Sequence, residues 1–270
     1  MSDPSWIRVS HAGTPANLRL ESLIQAWNSP TTSPIDEFLN DLRVVITAAT
    51  PDLIQNDPRA ASMLVVRVIG NVESYIRSVL SRAACICPRA RSVSDSSQVT
   101  LFAARRYVDD FLALTALEGS SLADAGEIKK RTRTMLGIEV KQGSDLDEAL
   151  REFSKACHFR HAVAHAAGVL SARNMLALGV TPPTTPQQFA MTVAGLQEIS
   201  AVCETAVRTY NRHIFQRLIE GWLGDGTLTG SWQNDEQLFE PTFRLFYSAV
   251  DNRDNEVAPQ AIWREVMRIS

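Results

Sequence analysis

Residues 59–84 read RAASMLVVRVIGNVESYIRSVLSRAA. Within this stretch Val65, Val68, Ile69, Val72, Ile76, Val79 and Leu80 recur at three- and four-residue steps. On an α-helix that spacing gathers them into one apolar stripe. Arg67, Glu73, Arg77 and Arg82 lie off or beside it. The pattern predicts a long helix from about Arg59 to Ala84 whose stripe must be buried against other elements.

The same period recurs on both sides. Ile35, Phe38, Leu39, Leu42, Val45 and Ile46 predict a helix over 35–49, with helical patterning beginning near Leu20 after an irregular 1–18. Proline and asparagine at 51–58 read as a break, and 86–98 (ICPRARSVSDSSQ) as a loop. A long helix is expected over about 99–118, with Phe102, Val108, Phe111, Leu112 and Thr115 inward. A shorter one spans Ala123 to Leu136, and Gly137–Gly143 connects it onward.

Ser144 and Asp147 form a capping pattern ahead of a helix from Asp145 to about Val169, with Leu146, Leu150, Phe153 and Cys157 inward. Residues 179–186 (GVTPPTTP) read as a loop, and 187–223 as the last long helix. Short helices rich in aromatic residues are expected over 231–270. No internal repeat, Gly-rich phosphate loop or sustained alternation is present. The fold class is therefore all-α, a bundle of long helices with a helical C-terminal extension. Three parts are expected: an N-terminal helical segment over 1–58, a core over 59–223 and an aromatic-rich extension over 224–270 packing on that core.

The 270-residue chain is 45% hydrophobic and 21% charged, enough for a real core and against wholesale disorder. Its net charge of −3 does not announce a nucleic-acid or membrane binder. Between Arg67 and Arg173, however, 16 Lys and Arg stand against 12 Asp and Glu, a local excess compatible with an anion site. Cys85 and Cys87 are too close for an ordinary disulfide, and no second pair completes a zinc motif. No secretory signal is read at the N-terminus and no apolar run approaches membrane-spanning length. Reduced thiols in the cytoplasm are the expectation.

One stretch carries chemistry. In ACHFRHAVAHAAG, residues 156–168, His158, His161 and His165 fall at i, i+3 and i+7, positions that share a helix face. Arg160 and His165, five positions apart, lie about 140° apart and flank one surface. An arginine and a histidine facing one cleft can hold a phosphate and move a proton beside it.

Arg160-His161-Ala162-Val163-Ala164-His165 resembles the arginine–polar–histidine signature of the HEPN superfamily, in which histidine follows arginine by four to six residues. The segment Gly70–Arg77 resembles the corresponding upstream helix, and the likeness covers roughly residues 59–220. The resemblance implies a helical, metal-independent endoribonuclease of the toxin or antiviral-defence kind, dimeric, needing no cofactor and taking RNA as substrate, with an antitoxin or regulatory protein as a further partner. It assigns Arg160 to the scissile phosphate, His165 to proton transfer and His161 to orienting the pair. His158 has no role in that pattern. The basic run Lys129, Lys130, Arg131 and Arg133 offers a substrate-binding face, although such runs are more often solvated surface. Two other readings stand beside this one. One is a non-catalytic module that binds a partner through the same fold. The other is a metal-dependent hydrolase with His161 and His165, four apart, and His158 as ligands.

Overall fold

Five of the helices begin on proline. Pro34, Pro51, Pro58, Pro88 and Pro259 stand at first helical positions, where the missing N–H would be unpaired in any case. Ser33, Thr50 and Asp57 cap three of them by accepting an N–H three residues on. In the computed structural model, residues 16–27, 30–95 and 97–268 are described. They contain α1 (Pro34–Ala48), α2 (Pro51–Asn56), α3 (Pro58–Ile86), α4 (Pro88–Ser94), α5 (Leu101–Arg106), α6 (Asp109–Thr115), α7 (Ala125–Leu136), α8 (Asp145–Ala166), α9 (Ala172–Ala177), α10 (Val193–Gly224), α11 (Trp232–Phe246) and α12 (Pro259–Met267). Two-residue strands β1 (Val169–Leu170) and β2 (Gln187–Gln188) pair antiparallel. The fold is all-α, as the periodicity requires.

Residues 1–31 and 32–270 form separate compact units. In the first, the described part holds a single 3-10 turn, Leu20–Ser22, and the irregular stretch expected before it lies largely outside the described residues. In the second, α3 is the hub, touching α1, α2, α4, α6, α7, α8, α10 and α11. Its stripe is fully buried, and one core runs continuously from Ile35 on α1 to Trp263 on α12. The division between the two units falls at 31/32.

Three local expectations are corrected. Residues 51–58 and 86–98 are not simple breaks: Pro51 and Pro88 start α2 and α4, and Ala90 buries itself to hold α4 against α3 and α7. The continuous helix expected over 99–118 is two helices. Tyr107 and Val108 are extended, and Asp109 adopts a left-handed φ of 53° before Asp109 and Asp110 open α6. Phe102 and Val108, expected inward, are 65% and 72% exposed; Tyr107 stacks on Phe111 and the Arg106 guanidinium lies over the Phe102 ring. The last long helix begins at Val193, capped by Thr192, rather than at 187.

Several polar groups buried in this core are paired across the sequence. The Tyr75 hydroxyl donates to Asn211, whose amide donates to the Phe246 carbonyl, and Thr132 and Tyr210 share a hydrogen bond of 2.9 Å. Burial pushes both phenols well above their usual range. Asp235, 2% exposed, accepts from the Thr229 N–H and hydroxyl, the Gly230 N–H and the Trp263 indole, tying the start of α11 to α12. Asp235→Ala would strand these donors and should cost about 3 kcal/mol, since each buried unpaired group costs about 1–3. Urea unfolding should show the midpoint falling at unchanged slope. A midpoint equal to wild type would mean the carboxylate is not needed.

Candidate active site

α8 is set in place from both ends. Ser144 accepts the Asp147 N–H to cap its start, as the pattern predicts. Its end comes three residues earlier than expected. Ala167 and Gly168 take left-handed φ values of 50° and 88°, and the Gly168 N–H closes on the Ala162 carbonyl. The turn is then clipped by the β1–β2 pair: the Gln188 amide donates to the Ala167 carbonyl, the Phe189 N–H to that of Gly168, and the Phe189 ring packs 5.0 Å from Phe159. Leu146, Leu150 and Phe153 bury the opposite face of α8 against α3 and α10.

A cleft of about 370 Å³ opens along this helix. His158, Arg160 and His161 line it from α8, with Asp124 from the cap of α7 and Arg173 and Asn174 from α9. His165 is not on its wall. It stands exposed in the last turn of α8, its ring 4.9 Å from that of His161. The three imidazoles thus run along one helix edge, two in the cleft and the third just beyond it.

Arg160 lies beside a carboxylate of α3. Glu73 is 3.9 Å from Arg77, its i, i+4 neighbour on that helix, and 3.7 Å from Arg160. The Glu73 side chain is 15% exposed, so this contact is screened less than a surface pair. Arg77 is engaged elsewhere, donating to the Leu117 and Ser120 carbonyls. Glu73 thus lies in ion-pair range of the Arg160 guanidinium, while 30% of the Arg160 side chain remains open to solvent. Cys157, beneath the histidines, is buried; desolvation pushes its thiol far up, with Cys203 and Glu73 adding to the rise, so it stays a neutral packing group. Burial likewise pushes the Cys203 thiol up to about 12.

The basic run lies on α7, away from the cleft wall. Lys129 pairs with Asp147, and Lys130 and Arg131 both reach Glu127, at 3.5 and 2.7 Å. The ammonium of Lys129, with the Gly143 N–H, holds the Asp147 carboxyl below its usual range. Only Arg133 of the four has an exposed side chain and no ion pair among the described residues. Asp124, Arg173 and Asn174 were not singled out by the spacing. They reach the cleft from α7 and α9, and only the fold brings them to α8.

No group of three or more His, Cys, Asp or Glu side chains among the described residues is placed to hold a metal ion. Among the same residues no helix is long and apolar enough to cross a membrane. The chain matches no protein-family model, no curated protein and no solved structure.

Proposed function

We propose that this chain is a metal-independent endoribonuclease, acting in the cytoplasm as a toxin or antiviral effector. The observation that carries the reading is Arg160, ion-paired with Glu73, on an open cleft with two imidazoles, while a third stands one turn further along the same helix. In the proposed reaction a ribose 2′-oxygen attacks the adjacent phosphorus and its proton passes to an imidazole. The bond to the 5′-oxygen breaks, and that oxygen takes a proton from an imidazolium. Arg160 faces the charge that builds on the phosphoryl oxygens. The products are a 2′,3′-cyclic phosphate and a 5′-hydroxyl. End-group analysis of cleaved RNA tests this. RNA carrying 2′-deoxyribose throughout should resist cleavage, and 5′-phosphate products would exclude the mechanism.

Phosphodiester cleavage uses both an acid and a base. A second copy meeting the first across a two-fold axis would bring its own His165 to Arg160, which supports a homodimer as the active form. Light scattering at micromolar concentration should give twice the chain mass, and an active monomer would contradict this. An inhibitory partner such as an antitoxin fits a nuclease of this kind. The metal-hydrolase reading would need His158, His161 and His165 to converge on one ion, and a chelator separates it from the nuclease reading.

Glu73 acts here as a positioning residue. Glu73→Gln keeps its size and removes the charge that holds Arg160. Because a misplacement of about 1 Å can cost about 100-fold, kcat should fall by about 10- to 100-fold while KM changes by less than about twofold. A change confined to KM would instead make Glu73 a binding group.

A further inference from the structure

The cleft has a second cationic wall that the motif does not predict. Arg173 lies on α9, and that short helix is firmly seated. Ser171 caps it by accepting the Asn174 N–H at 3.1 Å, Asn174 and Met175 are buried, and the Val180 N–H returns to the Met175 carbonyl. Arg173 itself is exposed on the cleft and, among the described residues, forms no ion pair. The cleft thus carries two guanidiniums of different standing: Arg160 is ion-paired with a carboxylate, and Arg173 has no ion-pair partner among the described residues. At about 370 Å³ the space is near the low end of ligand-site volumes, roughly 300–1,000 Å³, and suits a nucleotide or two of a flexible strand. A duplex would not enter it.

Resting on the ribonuclease reading, we infer that Arg173 binds the phosphate next to the scissile one, so that the cleft takes an internal stretch of single-stranded RNA. Both guanidiniums line the one cleft, and each can grip phosphate oxygens with two parallel hydrogen bonds. Arg160 then sits at the reacting centre, while Arg173 contributes binding that is the same in ground and transition states. Asp124 and Asn174 line the same cleft, the Asp124 carboxylate accepting the Glu127 N–H as the cap of α7.

The test uses the full chain and a fluorescent 2′-O-methyl RNA of randomised sequence, about ten nucleotides long. This probe keeps the phosphates and lacks the nucleophile. Arg173→Ala should weaken its binding about tenfold at low salt, as expected for a lost charged hydrogen-bond pair. The slope of log affinity against log salt should fall by about 0.7, one single-strand phosphate contact. Arg173→Lys should keep the slope, because the charge remains. On cleavable RNA, Arg173→Ala should raise KM and leave kcat within about twofold. Arg244→Ala, a surface arginine on α11 paired with Glu240, serves as the control and should match wild type. If wild type binds the probe and Arg173→Ala binds it with equal affinity and slope, the inference fails while the ribonuclease reading stands. If wild type binds no RNA even at low salt, both fail.

Discussion

His165→Ala should lower RNA cleavage by about 100- to 10,000-fold, the range that a positioned proton-transfer group supplies. The same substitution should leave the fold untouched. His165 is exposed at the end of α8, and surface changes of this kind move stability by about 0.5 kcal/mol or less. Single-turnover cleavage of a labelled RNA, read beside thermal unfolding, separates the two effects. The result is sharp because His165 lies outside the single-chain cleft. If His165→Ala is inactive, chemistry needs the edge of the helix where a second copy meets it. If His165→Ala cleaves within about threefold of wild type while His161→Ala is dead, the proton traffic belongs to the imidazoles inside the cleft and the assignment of His165 is wrong.

Arg160→Ala should be as severe, at about 100-fold or more, because a fixed guanidinium facing developing charge is hard to replace. Its partner makes the expected pattern more specific. Removing Arg160 leaves the Glu73 carboxylate, 15% exposed, with only the more distant Arg77 contact of 3.9 Å, so a loss of about 1 kcal/mol in stability should accompany the loss of activity. Arg160→Lys keeps the charge but gives up the planar two-pronged grip, and should recover activity only in part. Full activity in Arg160→Lys would reduce the role of Arg160 to simple charge. Full activity in Arg160→Ala would remove it from the site.

The parts of the fold legible in the sequence are those where one helix buries one stripe. α3 and α8 run within a few residues of their expected limits because Val65 to Leu80 and Leu146 to Cys157 leave no other face to bury. The misreadings have two physical sources. Pro51 and Pro88 read as breaks in the apolar period, whereas proline at a first helical position begins a helix. Val108 and Asp109 fit a helical period on paper, yet the left-handed φ of Asp109 splits the segment into α5 and α6. Nothing in the apolar spacing marks that turn.

The site was legible to the same degree. Arg160 and His161 are local neighbours on one helix, and they do share a cleft. The Glu73–Arg160 contact joins residues far apart in the chain, and the nearer Arg77 offered a sufficient explanation for Glu73. Arg173 sits on a six-residue helix too short to show a period. Of the partners that neutralise the α7 run, Glu127 is a local i,i+3 and i,i+4 neighbour on the same helix, while Asp147 reaches Lys129 only once α7 and α8 are placed side by side.

The central claim is RNA cleavage without metal, and cleavage in EDTA tests it most directly. Purified wild-type protein, incubated with RNA in excess EDTA, should cleave at a rate unchanged by later addition of magnesium or zinc, and His165→Ala should not cleave under either condition. Cleavage that is absent in EDTA, returns with zinc and is lost in His158→Ala would contradict the account and make the histidine row of α8 a metal site.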